Sequence, residues 1–354
     1  MAASKFIEDQ RNIDRDIEAA DVRAILVVED SIRFYSSFLS VLYPELMKQS
    51  QSLFSEGLNR LQKLMRMRTR PKVLLAQDYE QAVALYDRYR DNLLAIISDI
   101  GYPRQGELDP EAGIRLLKRV RKEHPDLPVL LQSAEPPYED IEKRLEVQFV
   151  NKNSPRLLQR IRLFLRHYLG FGPFIFRTPD GGEVCRARDV TELAECMEDV
   201  PAESVEYHAS RNHFSNWLLA RSEFDLAEAM RPQTVADFGS VEELRRITVA
   251  EIRAHERGLR AGVIADFNPY GWHADSDFQR IGSGSLGGKA RGIAFLDQLL
   301  HLRPDLVHSD HLDVRIPQSF VLATDAFDEF LLANELYFVA SSSEQDEWIA
   351  KRFT

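Results

Sequence analysis

The sequence is short of cysteine. Its 354 residues hold two, Cys185 and Cys196, too few for a disulfide framework; the two could pair, but in a chain of this length they read as reduced thiols. It lacks any apolar run approaching the roughly 20 residues of a membrane span, and residues 1–22 are too charged for a signal peptide. A cytoplasmic chain with no membrane contact is the expectation. Positive charge is also in short supply. With 45 Lys and Arg against 56 Asp and Glu, the formal net charge is −11, which argues against a general nucleic-acid binder. Apolar content is ordinary for a globular protein at 44%, and the length suggests two or three domains.

Four short apolar runs stand out against this background. Leu94 to Ile97 leads through Ser98 to Asp99 and then breaks at Gly101 and Pro103. Ala24 to Val28 ends on Glu29 and Asp30, Val129 to Gln132 ends on Ser133, and Val147 to Asn151 ends on Lys152. Short apolar runs bounded by turn residues read as buried strands of a parallel sheet. In open sheets of this kind, chemistry sits beyond the carboxyl ends of the strands. There these four strands deliver an acidic pair, a carboxylate, a hydroxyl and an amine. Three carboxylates in one pocket call for a hard divalent cation with oxygen ligands.

Taken together, these residues resemble the receiver domain of a bacterial response regulator. The resemblance implies Asp99 as phosphoacceptor and nucleophile of an acyl phosphate, with Glu29, Asp30, Asp99 and the backbone carbonyl of Gly101 around Mg2+. It implies Ser133 as the switch hydroxyl, Lys152 as the amine that holds phosphoryl oxygens, and Phe149 as the aromatic switch. It further implies a sensor histidine kinase as partner and a doubly wound, five-stranded parallel α/β sheet of flavodoxin-like type. Two departures stand out. Asn153 follows Lys152 where the family usually has proline, so a cis X-Pro bond is not expected there. The stretch from Asp30 to Asp99 is longer than in a minimal receiver, and the excess lies in the first helix.

In chain order, residues 1–22 read as an amphipathic arm and 23–170 as the receiver. Within the latter, a long helix is expected over 31–68, kinked or split at Pro44. Its second half is basic through Arg60, Lys63, Arg66, Arg68 and Arg70, either as a docking arm or as a solvated face. Helices are expected at 79–89, 111–123, 138–145 and 155–169, and a strand at 72–77. Gly170 to Pro173 punctuates the chain. Residues 174–265 then read as a small α-rich connecting domain, opening on a hairpin at 174–177 and 183–186 and a helix capped by Asp189 or Thr191. His208 and His213 are five apart and so do not share the i,i+4 face of a helical metal pair. A metal set of His208, His213, Glu223 and Asp225 is the weaker alternative to a plain helical core.

The stretch from Gly282 to Gly292 is glycine-rich and precedes a helical pattern, an arrangement that can cradle phosphate. It is not a Walker A loop, since Ser283 stands where its first glycine belongs and Ala290 follows Lys289. It resembles the opening of the nucleotide-binding domain of pyruvate phosphate dikinases and phosphoenolpyruvate synthases. The Gly287-Gly288-Lys289 turn and the later Val314, Pro317, Phe320 and Thr324 pattern carry the likeness. The resemblance implies ATP contacts at Gly287, Gly288 and Lys289 and an incomplete ATP-grasp-like domain over 278–354, with further phosphotransferase domains in cis. Three functions follow as expectations: a phosphorelay receiver that regulates this module, an ATP-dependent phosphotransferase acting on pyruvate with the receiver as a minor appendage, or a pseudo-receiver scaffold for dimerisation. A homodimer fits the family.

Overall fold

The computed structural model describes residues 2–56, 69–134, 147–231, 235–260, 263–267, 278–302, 308–309, 312–314, 316–342 and 345–353. The basic half of the expected long helix up to Arg68, the expected helix at 138–145 and the loop holding Trp272 lie outside them. The described chain forms two compact units, one running to Arg253 and one from Ala254 onward.

The first unit is built on a five-stranded parallel sheet of β1 (Ala24–Val28), β2 (Lys72–Ala76), β3 (Leu93–Asp99), β4 (Val129–Ser133) and β5 (Gln148–Asn151), in the order β2-β1-β3-β4-β5. This mixed α/β arrangement fits a flavodoxin-like fold. The strands are apolar through their central residues because both faces are covered, with polar residues at the ends of β2 to β5. Leu26, Leu74, Ile96 and Leu131 pack under α3 (Tyr79–Tyr89) and α4 (Ala112–Glu123). Their neighbours Ile25, Val73, Ile97 and Leu130 point the other way, onto α2 (Ile32–Glu56) and α5 (Leu157–His167). The alternation follows from the two-residue period of a strand.

Pro44 does not split α2, which runs unbroken from Ile32 to Glu56. Pro44 and Ser40, four residues before it, are both exposed. The carbonyl that proline cannot serve therefore faces water, where the lost hydrogen bond costs least.

The edge strand β2 is covered by α1 (Ala2–Ala20). Asp9, with no exposed surface, accepts from the Val73 N–H at 3.1 Å, while the Gln10 amide donates to the Val73 carbonyl at 3.0 Å. Two backbone groups of the sheet edge are thus satisfied by side chains. The same carboxylate accepts from the Tyr43 hydroxyl at 2.8 Å and pairs with Arg70, with the Lys72 ammonium at 3.7 Å.

After α5 the chain forms the hairpin β6 (Phe174–Arg177) and β7 (Glu183–Ala187), then α6 (Val190–Asp199), α7 (Ala202–Ala209), α8 (His213–Leu219), α9 (Phe224–Met230) and α10 (Val241–Arg260). Asp189 caps α6, its side chain accepting from the Glu192 N–H. Phe176, Leu193, Met197, Trp217, Leu218 and Ile252 centre a second core. Cys185 and Cys196 are joined by a disulfide that ties β7 to α6, which corrects the expectation of two reduced thiols. Spacing alone does not decide between two free thiols and a pair; the hairpin that lays β7 beside α6 does. Among the described residues no helix is long and apolar enough to cross a membrane.

The second unit contains a three-stranded parallel sheet of β8 (Ala265–Asp266), β9 (Phe278–Ile281) and β10 (Ser319–Leu322), with β9 central. Helices α11 (Gly288–Leu302) and α12 (Thr324–Ala333) accompany it. Phe278, Leu286, Ala290 and Ala323 form its small core.

Candidate functional site

The strand ends of the first sheet converge as the register requires. Val28 lies beside Ser98, Asp99 beside Gln132, and Ser133 beside Asn151. The next residues along, Glu29 and Lys152, therefore sit at the same sheet edge as Asp99. Ligand oxygens of Glu29, Asp30 and Asp99 all lie within 4.8 Å of one another. Glu29 is fully buried and Asp99 nearly so, while Asp30 is exposed.

Lys152 ties this edge together. Its ammonium is 2.7 Å from Glu29 Oε2, 3.0 Å from Glu29 Oε1 and 2.5 Å from Asp99 Oδ2. It also lies 4.6 Å from the centre of the Phe34 ring, a cation–π contact. The Lys152 N–H donates to the Ser133 carbonyl at 2.8 Å, which fixes the last turn of the edge. Asn153, where the receiver resemblance expects proline, donates its side-chain amide to the Ala134 carbonyl at 3.0 Å. A hydrogen bond here holds the loop that a rigid ring would otherwise stiffen.

Burial dominates the electrostatics. It pushes Glu29 up to about 7, although the Lys152 ammonium pulls the other way. Asp99 is also raised by burial, against Lys152 and the Ile100 N–H that donates to its Oδ1 at 2.7 Å. One ammonium therefore does not fully offset the buried negative charge. With hard oxygen donors from three carboxylates, that charge deficit fits a divalent cation.

Of the other expected residues, Ser133 ends β4 and is buried, and Phe149 in β5 is half-buried against the sheet core. Gly101 follows β3 by two residues and packs near Pro110. Gln132 and Gly113 are additions that sequence patterning did not single out. The Gln132 amide donates to Glu29 Oε2 at 3.0 Å; a buried polar residue inside an apolar strand was the available signal. Gly113 opens α4 against the Asp99 strand end. Its N–H donates to the Ile100 carbonyl at 2.9 Å, and a Cβ at this position would stand 2.1 Å from the Asp99 carbonyl oxygen. Gly113→Ala is therefore expected to cost about 1–3 kcal/mol by overpacking. Urea unfolding would check it, and a variant as stable as the parent would refute the constraint.

The histidine geometry differs from the expectation. His208 ends the α7 region and His213 begins α8, with Asn212 between them in a left-handed conformation at φ 52°. That turn breaks the helix and brings the two Nδ1 atoms to 2.9 Å. His208 Nε2 accepts from the Arg177 N–H at 2.8 Å, so the His208 proton sits on Nδ1 and is donated to His213. Burial holds both imidazoles low, near 3 for His208 and near 4 for His213. The pair does not join Glu223 or Asp225 in a metal-binding group; among the described residues only Glu29, Asp30 and Asp99 form one.

In the second unit, the glycine-rich turn is held by the start of α12. Asp325 accepts from the Ser283 N–H and hydroxyl, and Thr324 Oγ1 accepts from the Ser285 N–H at 3.0 Å. The two bonds from Ser283 hold the Asp325 carboxyl down at about 2. Gly287 and Gly288 have open space where a Cβ would stand, and exposed Lys289 is in the first turn of α11.

No protein-family model matches the chain, and no curated protein matches it. Solved structures do. A response regulator receiver domain protein from Clostridium thermocellum is 14% identical and covers 41% of this chain and 92% of its own, with a TM-score of 0.29. The Mn2+-bound form of response regulator Rcp1 is 15% identical and covers 40% and 91%, with a TM-score of 0.28. Both neighbours are response regulators by description, and the likeness, at low TM-score, extends over two-fifths of this chain.

Proposed function

We propose that the first sheet is a phosphoacceptor module of two-component signalling, with Asp99 accepting a phosphoryl group from a sensor histidine kinase. The observation that carries this is the meeting of Glu29, Asp30 and Asp99 within 4.8 Å around an ammonium that touches two of them. Glu29, Asp30, Asp99 and the Gly101 carbonyl would hold Mg2+, which would offset charge on the incoming phosphoryl group. An Asp99 oxygen attacks phosphorus, forming an O–P bond as the N–P bond to the kinase histidine breaks. The electron pair of that bond stays with the imidazole. Lys152 then exchanges its contact with the Asp99 carboxylate for one with a phosphoryl oxygen, and Ser133 supplies a hydroxyl donor. The new charge is read by the surface around Ser133 and Phe149.

Residues 278–354 are proposed as the opening of a phosphoenolpyruvate synthase or pyruvate phosphate dikinase-like module regulated by this switch. Support comes from the open turn at Gly287 and Gly288 before the α11 N-terminus and from Lys289. ATP phosphates would contact these three residues.

The test is intact mass after incubation with Mg2+ and acetyl phosphate. One phosphoryl group is expected on the parent chain and none on Asp99→Asn or without Mg2+. A mass gain that survives Asp99→Asn would place the acceptor elsewhere. Absence of both mass gain and Mg2+ binding would leave a pseudo-receiver scaffold.

A further inference from the structure

At the opposite end of the sheet from Asp99, a cleft of about 610 Å³ opens between the starts of β4 and β5 and the helical layer that follows α5. This volume falls within the range of small-molecule sites. Its charge is one-sided. Arg121, Arg166, Arg177 and Arg211 line it, against one carboxylate, Asp126, which already accepts from the Asn212 amide at 2.6 Å. Arg166 pairs with Glu45 at 3.0 Å, a carboxylate it shares with Arg162. Arg177 and Arg211 are different: among the described residues their side chains bond backbone carbonyls and the Ser210 hydroxyl, with no carboxylate at ion-pair distance, the nearby Glu183 acting on Arg177 only through space. Two guanidiniums bonded only to neutral groups, in a cleft lined by a single carboxylate, favour an oxyanion that can be gripped by paired N–H donors.

The walls add a second preference. Tyr168, Tyr207 and Trp217 line the same cleft. The Arg211 guanidinium already lies 4.3 Å from the centre of the Tyr207 ring, so charge and ring face are presented together. The His208–His213 pair lines it too without adding charge; with both His208 nitrogens and His213 Nδ1 engaged, the pair leaves the His213 Nε2–H for a ligand. Such a surface suits a ligand with a phosphate at one end and a flat ring at the other.

We propose that this cleft binds a nucleoside monophosphate-class ligand, with Arg177 and Arg211 on the phosphate and the tyrosines against the ring. The site shares no residue with the Asp99 pocket or with the turn at Lys289, so it stands apart from the function proposed above.

The experiment is equilibrium dialysis of labelled AMP against the full chain carrying Lys289→Ala, so that the glycine-rich turn does not contribute. One saturable site is expected, with AMP binding at least ten-fold tighter than inorganic phosphate. Arg177→Ala and Arg211→Ala are each expected to weaken it about ten-fold or more, the scale of a lost charge-assisted hydrogen bond. Arg211→Lys should fall between parent and alanine. Arg211 is exposed, so its variants decide the matter should Arg177→Ala fail to fold. Absence of saturable binding, equal affinity for AMP and phosphate, or binding indifferent to Arg211→Ala would each overturn the proposal.

Discussion

Asp9→Ala is expected to destabilise the first unit by about 3–5 kcal/mol, the range for removing one partner of a buried ion pair. Arg70 and Lys72 are both almost fully buried, and Asp9 is the carboxylate that Arg70 grips through both terminal nitrogens. Lys72 keeps a second partner in Asp16 at 2.6 Å, but among the described residues Arg70 keeps only the Pro71 carbonyl as a hydrogen-bond partner, beside the Tyr43 ring at 5.7 Å. Removing the carboxylate also strands the Val73 N–H and the Tyr43 hydroxyl, each a costly buried donor. A drop in melting temperature on the order of 10 °C should follow. Asp9→Asn, which keeps an acceptor but not the charge, should fall between. If Asp9→Ala melted with the parent protein, the arm would be an ornament on the sheet rather than part of it.

Mild acid should weaken the protein through the histidine pair. His208 sits near 3 and His213 near 4 in the folded chain, against about 6.5 unfolded. Below pH 6.5 the unfolded chain takes up protons that the folded chain refuses. Stability from this source is therefore complete above pH 6.5 and is lost as pH falls below it. At pH 5 the loss from His208 amounts to about 2 kcal/mol. His213 adds less, because its residue is only half-buried and solvent screens it. Glu29, raised to about 7, acts in the reverse sense, its carboxyl favouring the folded state as acid protonates it. The comparison that isolates the histidines is the parent against His208→Gln/His213→Gln, by urea unfolding at pH 7 and pH 5. The parent should lose more stability between the two than the double variant does. Parallel losses would mean that the imidazoles titrate normally.

The sheet and its acidic edge were legible in the sequence because buried parallel strands are apolar on both faces. The runs ending at Val28, Asp99 and Ser133 could hardly be anything else, and helix α3 fell where its period put it. What escaped notice depends on the third dimension. The His208–His213 contact needs the left-handed turn at Asn212, which helical spacing cannot anticipate. Gln132 looked like the polar end of an apolar run until Glu29 arrived beside it from over a hundred residues away. Pro44 read as a break because its cost depends on which face it occupies, and that face is the wet one.

Gly170 read as the end of one domain and the start of a linker. Its φ of +75° fits a turn, yet a Cβ there would stand 2.8 Å from the Trp217 Cα. The Trp217 indole donates to the Gly172 carbonyl at 2.9 Å. Asn212 reaches Asp126, Ser222 reaches Thr69, and Gln49 reaches the Ala220 carbonyl across the same seam. Among the described residues these contacts restrain the turn, even though the cleft opens beside it. A displacement of α5 would be carried to the following helices through these contacts as the motion of a lever, instead of being absorbed wholly at the turn that joins them.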